Sequence, residues 1–285
     1  SIFSPEFRQP TNLLSLLRQS SINGLIAFGM TGVILTGGID LSVGSVLALS
    51  TAFCAGMIVA GIPVPVAMLA ALVIGVIFGV VSGFLVTKGR LQPFIATLIT
   101  MTVYRGVTMI YTEGKPISGL GSSAFLKFIG KGAVFEIPFP VIVLVVVFAI
   151  FYFVLNKTTF GRRIYATGSN AECAKLAGVN INKTKLIAYG VSGLMSAMAG
   201  LILLSRLSSA QPTLGSGYEL DAIAAVALGG TSMNGGRGKI TGTLFGVLII
   251  AVLSNGMNIL GISSYYQDVV KGIVILLAVL SDRKR

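Results

Sequence analysis

A carboxylate, Asp40, stands between the glycine pair Gly37-Gly38 and Ser42 in the stretch GGIDLSVGS, flanked by apolar runs. A charge beside lipid-soluble sequence is costly unless it is hydrogen-bonded, paired or hydrated. Two chemistries fit these residues. Asp40 or Ser42 caps the next helix by accepting bonds from its free amides, or the glycines, Asp40 and Ser42 border a water-filled path. A second glycine-dense stretch, GGRGKITG, begins at Gly235-Gly236 and resembles a phosphate-binding loop only in composition. Met233 stands where that loop needs its first glycine, and Ile240 stands where Ser or Thr must follow Lys239. Any energy drawn from a nucleotide must therefore come from another chain. His is absent, which removes the usual general base and zinc ligand. Cys54 and Cys173 are too isolated for a disulfide framework or a metal site. Enzyme chemistry and a resident cofactor are not expected.

The elements that must position these residues are membrane helices. Hydrophobic residues make up 54% of the 285-residue chain and charged residues 11%, against roughly 25% charged in soluble domains. A spanning helix needs roughly 20 apolar residues to cross a layer about 30 Å thick. Long apolar runs lie at 43–61, 64–87, 93–112, 137–155, 186–205, 240–260 and 265–281, with shorter ones at 20–36 and 219–233. The runs are continuous, not alternating, so they imply helices and exclude a barrel. The expected fold is all-α: one polytopic membrane bundle over residues 1–285, with about nine crossings here. The chain opens at Ser1 without a Met, so a longer protein is expected, and the threading below, which leaves Ser1 outside, requires one more helix upstream, about ten in all.

The net charge of +12 does not call for nucleic acid, because its placement follows membrane topology. Lys88 and Arg90, the basic stretch Lys157 to Lys185, Arg237 with Lys239, and Arg283-Lys284-Arg285 must share the cytoplasmic side. That threading puts Ser1 and the 113–136 segment outside, the latter as a solvated loop. Residues Thr11 to Ser20 either lie along the outer interface or begin the next helix. Glu219 and Asp221 read as solvated carboxylates at a helix start. Arg105, deep in an apolar run, marks a water-filled path, snorkels from a helix end, or pairs with carbonyls.

Gly37-Gly38 and Gly44-Ser45 recur at a constant offset as Gly235-Gly236 and Gly242-Thr243, and Ile22, Asn23 and Ala27 recur as Leu220, Asp221 and Ala225. The repeated unit reads as helix, glycine break, helix, an arrangement that lines paths in transporters. Small residues also recur every four positions at Gly44, Ala48, Ala52 and Gly56, at Gly75, Gly79 and Gly83, and at Ser192, Ser196 and Gly200. Such stripes permit close helix contact, expected here within the bundle and not at a subunit seam.

Within the basic stretch, Ser169-Asn170-Ala171-Glu172 fits a capping box, and Gly178 suits a helix stop. The resulting helix, about 170–177, is too short to stand alone and must dock on something. Glu172-Cys173-Ala174, with Gly178 four residues later, resembles the EAA loop of ABC importer permeases, whose coupling helix sits in a cleft of the ATPase. Cys173 replaces an Ala of that pattern, and the Ile-x-Leu-Pro that usually follows the Gly is missing. The wider sequence is similar to permease subunits of ribose-type sugar ABC importers. The likeness runs through GGIDLSVGS, Gly161-Arg162, the stretch Ser208 to Asp221, Gly229-Gly230-Thr231, and Ser263 to Gln267.

That resemblance implies a homodimer in the bacterial inner membrane, a cytoplasmic ATP-binding cassette subunit that holds ATP and Mg, and a periplasmic sugar-binding protein. It implies ribose as cargo, with xylose, galactose or a signalling sugar as alternatives. Coupling falls to Glu172, Ala174, Lys175 and Gly178, and the path to Gly37, Gly38, Asp40, Ser42, Gly235 and Gly236. With no Trp and few paired polar residues in the helices, the permease reads as a low-affinity conduit. An ion-coupled secondary transporter is the rival, weakened by the scarcity of carboxylates deep in the helices.

Overall fold

The computed structural model describes residues 6–121 and 123–282. Expectations for Ser1 and for Arg283-Lys284-Arg285 fall outside the described residues. Among the described residues, a 3-10 turn, Glu6–Arg8, leads into twelve helices. They are α1 (Pro10–Leu35), α2 (Val43–Val59), α3 (Val64–Thr87), α4 (Pro93–Tyr111), α5 (Ala124–Lys131), α6 (Phe139–Lys157), α7 (Thr159–Ser169), α8 (Ala171–Leu176), α9 (Ile181–Leu207), α10 (Tyr218–Leu228), α11 (Ile240–Ile259) and α12 (Ser264–Asp282). A hairpin of β1 (Ala133–Val134) and β2 (Ile137–Pro138) joins α5 to α6. Among the described residues, α3, α4, α6, α9 and α11 are long and apolar enough to cross a membrane, and α2 is a shorter apolar helix.

The hub is α9, packed against α1, α2, α3 and α5. Its contact with α3 shows how the sequence solves packing where apolar attraction between helices is weak. One face of α3 carries Leu69, Val73, Ile77 and Phe84, all exposed, and the opposite face carries Gly75, Gly79, Ser82 and Gly83, all buried. Bulk faces outward to lipid and small residues face inward, which lets the two backbones touch. A Cβ on Gly79 would stand 2.3 Å from the carbonyl oxygen of Tyr189, and one on Gly193 would stand 2.1 Å from that of Gly75. This stripe is internal packing. The stripes on α2 and α9 also turn inward, with Gly56 against Tyr111 and Gly200 against Thr51 and Leu47.

Several local expectations change. Thr11 to Ser20 is the first part of α1, a continuous 26-residue helix, and not a separate interfacial segment. The run at 219–233 holds only the 11 residues of α10, a rise of about 16 Å that cannot cross alone. α10 stops at Gly229-Gly230, where Gly230 adopts φ +75° and Thr231 N donates to Val226 O. Gly235-Gly236 therefore lies in the linker 229–239 and does not end the helix. The 113–136 segment is more than a solvated loop, because α5 docks on α9 with Gly130 N donating to Ser205 Oγ at 2.8 Å.

Candidate functional site

Two non-helical segments enter the bundle from opposite ends, and the second meets the first turn of the helix that follows the first. Residues 36–42 leave α1 at the end that carries Lys88, Arg90 and Lys239, hereafter the basic end. Ile39 O accepts from Tyr189 OH at 3.1 Å and from Thr97 Oγ1 at 3.3 Å, so this segment is laced to α9 and α4. Residues 208–217 descend from the opposite end, tied by paired backbone bonds between Ile117 and Ala210. Arg105 Nη1 donates to Pro212 O at 2.6 Å and to Leu214 O at 2.8 Å. Of the three readings of Arg105, carbonyl pairing is therefore realised. The 208–217 segment meets the first turn of α2 at Gly44 and Gly215: a Cβ on Gly44 would stand 2.1 Å from Gly215 O. Arg105 lies about 18 Å along α4 from Pro93 by helical rise, deep within a hydrocarbon layer about 30 Å thick.

Beside this meeting point is a cavity of about 260 Å³ lined by Ser45, Met101, Thr102, Arg105, Ser216 and Glu219. The N-terminal ends of α2 and α10 both supply wall residues, bringing the positive ends of two helix dipoles to one place. Glu219 Oε1 accepts from Gly217 N at 3.2 Å. Buried unpaired hydroxyls are rare in packed proteins, yet Ser45 Oγ has no partner. Sequence reasoning did not place Ser45, Thr102, Ser216 and Glu219 together. The signal available was the break at Gly37-Gly38, which ends α1 at the basic end and lets α2 begin inside the bundle, beside a polar wall.

Asp40 occupies a different position. It is 1% exposed, and Oδ1 accepts from Ser42 N at 3.0 Å and from Ser42 Oγ at 2.6 Å. Oδ2 accepts from Ser192 Oγ at 2.8 Å. Ser42 Oγ lies 3.3 Å from Ser82 Oγ, which donates to Thr100 Oγ1 at 3.0 Å. The carboxylate thus anchors a chain of hydroxyls joining α2, α3, α4 and α9, which offsets the cost of burying it. Ser42 is the residue preceding α2, but its hydroxyl serves Asp40 and makes no cap bond to the helix. Asp221 is likewise buried instead of solvated: Lys271 on α12 pairs with it at 2.9 Å.

The glycine pairs sit at the basic end. Gly37 turns with φ +76°, and Gly236 N donates to Leu35 O at 3.0 Å. A Cβ on Gly235 would stand 2.7 Å from Gly37 N, and one on Gly168 would stand 1.9 Å from Leu35 O. Gly38 packs under the Tyr189 hydroxyl. The end of α1, the end of α7 and the 229–239 linker therefore converge with backbone against backbone.

α7 leads from this junction directly into α8. Asn170, not Ser169, caps α8, accepting from Cys173 N at 2.9 Å, because Ser169 still belongs to α7. Glu172 is exposed instead of reaching back to close a capping box. Gly178 ends the helix with φ +83°, and Val179 N donates to Ala174 O. Glu172, Lys175 and Gly178 are exposed along a shallow groove with Asn180 and Asn182, whereas Ala174 is buried against the body of the protein. Leu176, not singled out from the sequence, is 89% exposed at the tip.

A lipid-facing bundle with converging interrupted segments and a protruding basic-end helix defines a polytopic membrane permease. The chain belongs to the family described as branched-chain amino acid transport system / permease component, which matches residues 12–279. It is 58% identical over 285 residues to the ribose import permease protein RbsC of Bacillus subtilis, covering 100% of this chain and 88% of that protein. The Haemophilus influenzae ribose import permease protein RbsC is 52% identical over 284 residues, covering 99% and 88% respectively. PsaBC from Streptococcus pneumoniae in complex with Fab shares the fold, with a TM-score of 0.53 at 16% identity, covering 97% of this chain and 91% of that one. The protein is a multi-pass permease of the bacterial inner membrane.

Proposed function

We propose that this chain is the ribose-conducting subunit of an ABC importer and works as a pair of identical copies. A cytoplasmic ATP-binding cassette subunit binds ATP and Mg and seats α8, and a periplasmic sugar-binding protein delivers ribose at the opposite end. The permease itself performs no hydrolysis. The observation that carries this reading is the direct seam between α7 and both interrupted regions at Gly37, Gly168 and Gly236. Force applied at Leu176, Glu172 and Lys175 reaches the α1 break and the α10–α11 linker through backbone contacts, with no intervening flexible side chain. Gly37, Gly38, Gly235 and Gly236 act in this reading as the transmission of the path, Asp40 and Ser42 as its fixed frame, and the mid-depth cavity as its polar wall.

Reconstitution of the permease with its ATPase and binding protein in liposomes tests the proposal. Ribose uptake should require all three proteins and ATP and should stop with vanadate. Uptake by the permease alone, collapsing with an ionophore, would overturn it in favour of an ion-coupled transporter.

A further inference from the structure

We infer that the cavity bounded by Ser45, Arg105 and Glu219 is a recognition site for a neutral monosaccharide within the permease, and not merely a polar stretch of conduit. This inference deepens the functional reading above and rests on it.

The argument is an accounting of donors and acceptors. Arg105 carries five N–H donors, and the two on Nη1 are committed to Pro212 O and Leu214 O. Those bonds fix the plane of the guanidinium and leave the Nε and Nη2 edge to serve the cavity. Glu219 supplies a carboxylate with Oε1 bonded to Gly217 N and Oε2 within 2.8 Å of where a Cβ on Gly44 would be. Ser45 Oγ, on a residue 1% exposed, has neither donor nor acceptor satisfied. A buried hydroxyl left unpaired costs stability, and a ligand hydroxyl entering the cavity would satisfy it.

The chemistry selects the ligand class. One guanidinium and one carboxylate sum to no net charge, which disfavours an anion or cation and suits adjacent hydroxyls that each donate and accept. Thr102 and Ser216 add hydroxyls at the rim, and Met101 supplies an apolar wall for ring carbons. At about 260 Å³ the space lies below the usual drug-sized range, which begins at roughly 300 Å³. That volume suits a single sugar ring.

The test uses the complete complex in liposomes, with sugar moved per ATP hydrolysed as the readout, alongside the melting temperature of each variant. Ser45→Val and Thr102→Val remove hydroxyls without touching α8 or the carbonyl bonds of Arg105. Each should lower ribose moved per ATP by about tenfold, the effect of one lost hydrogen bond to a ligand, with binding-protein-stimulated ATP hydrolysis and melting temperature unchanged. Ser45→Thr, which keeps the hydroxyl, should restore most of the ratio. If the wild-type complex carries another neutral sugar in place of ribose and Ser45→Val impairs that uptake equally, the cargo assignment falls and the site stands. Wild-type sugar-per-ATP ratios in both valine variants would overturn the site, as would parallel losses of ATP hydrolysis and melting temperature in Ser45→Val.

Discussion

The amide of Gly236 donates to the carbonyl of Leu35 at 3.0 Å, tying the linker before α11 to the last turn of α1. Neither residue has a side chain in the bond, so main chain is joined directly to main chain. Gly236 adopts φ +72°, and a Cβ there would stand 2.6 Å from Ser169 Cα. Gly236→Val should therefore destabilise the junction by about 1–3 kcal/mol through backbone strain and steric overlap. Thermal unfolding in detergent measures the loss, and ATP-coupled uptake should fall further than stability alone accounts for.

The exposed tip of α8 predicts a different outcome. Leu176→Asp and Glu172→Arg should leave the melting temperature unchanged, because neither side chain packs against the bundle. Binding of the ATPase subunit should weaken by tenfold or more for Leu176→Asp, on the order of 2 kcal/mol for an anchor residue. Pull-down from co-expressed membranes and stimulation of ATP hydrolysis provide the measurement.

Asp40 should behave as a fold determinant. Asp40→Leu strands the Ser42 and Ser192 hydroxyls without their acceptor and should cost about 2–4 kcal/mol. Asp40→Asn keeps one acceptor oxygen and should cost less. The ordering of melting temperatures, wild type above Asn above Leu, is the check.

The Asp221–Lys271 pair is suited to a double-mutant cycle. Asp221→Ala should destabilise strongly, because it leaves Lys271 partly buried without its partner. Adding Lys271→Met should recover much of the loss, with a coupling of about 1–3 kcal/mol. Additive effects of the two changes would show that the pair contributes nothing beyond its separate parts.

Much of the architecture follows from the sequence by direct physical rules. Gly75, Gly79 and Gly83 recur at helical spacing in an apolar run, and lipid offers such a stripe no better partner than another backbone. Gly178 marks a helix stop because its position demands a positive φ. What the sequence hides are relationships that no local window contains. Asp221 and Lys271 are fifty residues apart, and a carboxylate at a helix start reads as solvated until its distant partner is seen. The end of α10 is misread by five residues because two glycine pairs, Gly229-Gly230 and Gly235-Gly236, both fit a break, and the repeat favours the second. The 11-residue α7 escapes a search for apolar runs because its apolar residues occupy one face only. The cavity is built from α2, α4 and α10, so its polar residues are scattered along the chain and converge only in the fold.

At the Gly44–Gly215 crossing, bare main chain lies against bare main chain. A mutation there has no small step available, since even one methyl group displaces both strands of the crossing. At the proposed sugar site, a change of cargo is therefore expected to spare that waist and to alter the furniture around it, Thr102, Ser216 and Met101.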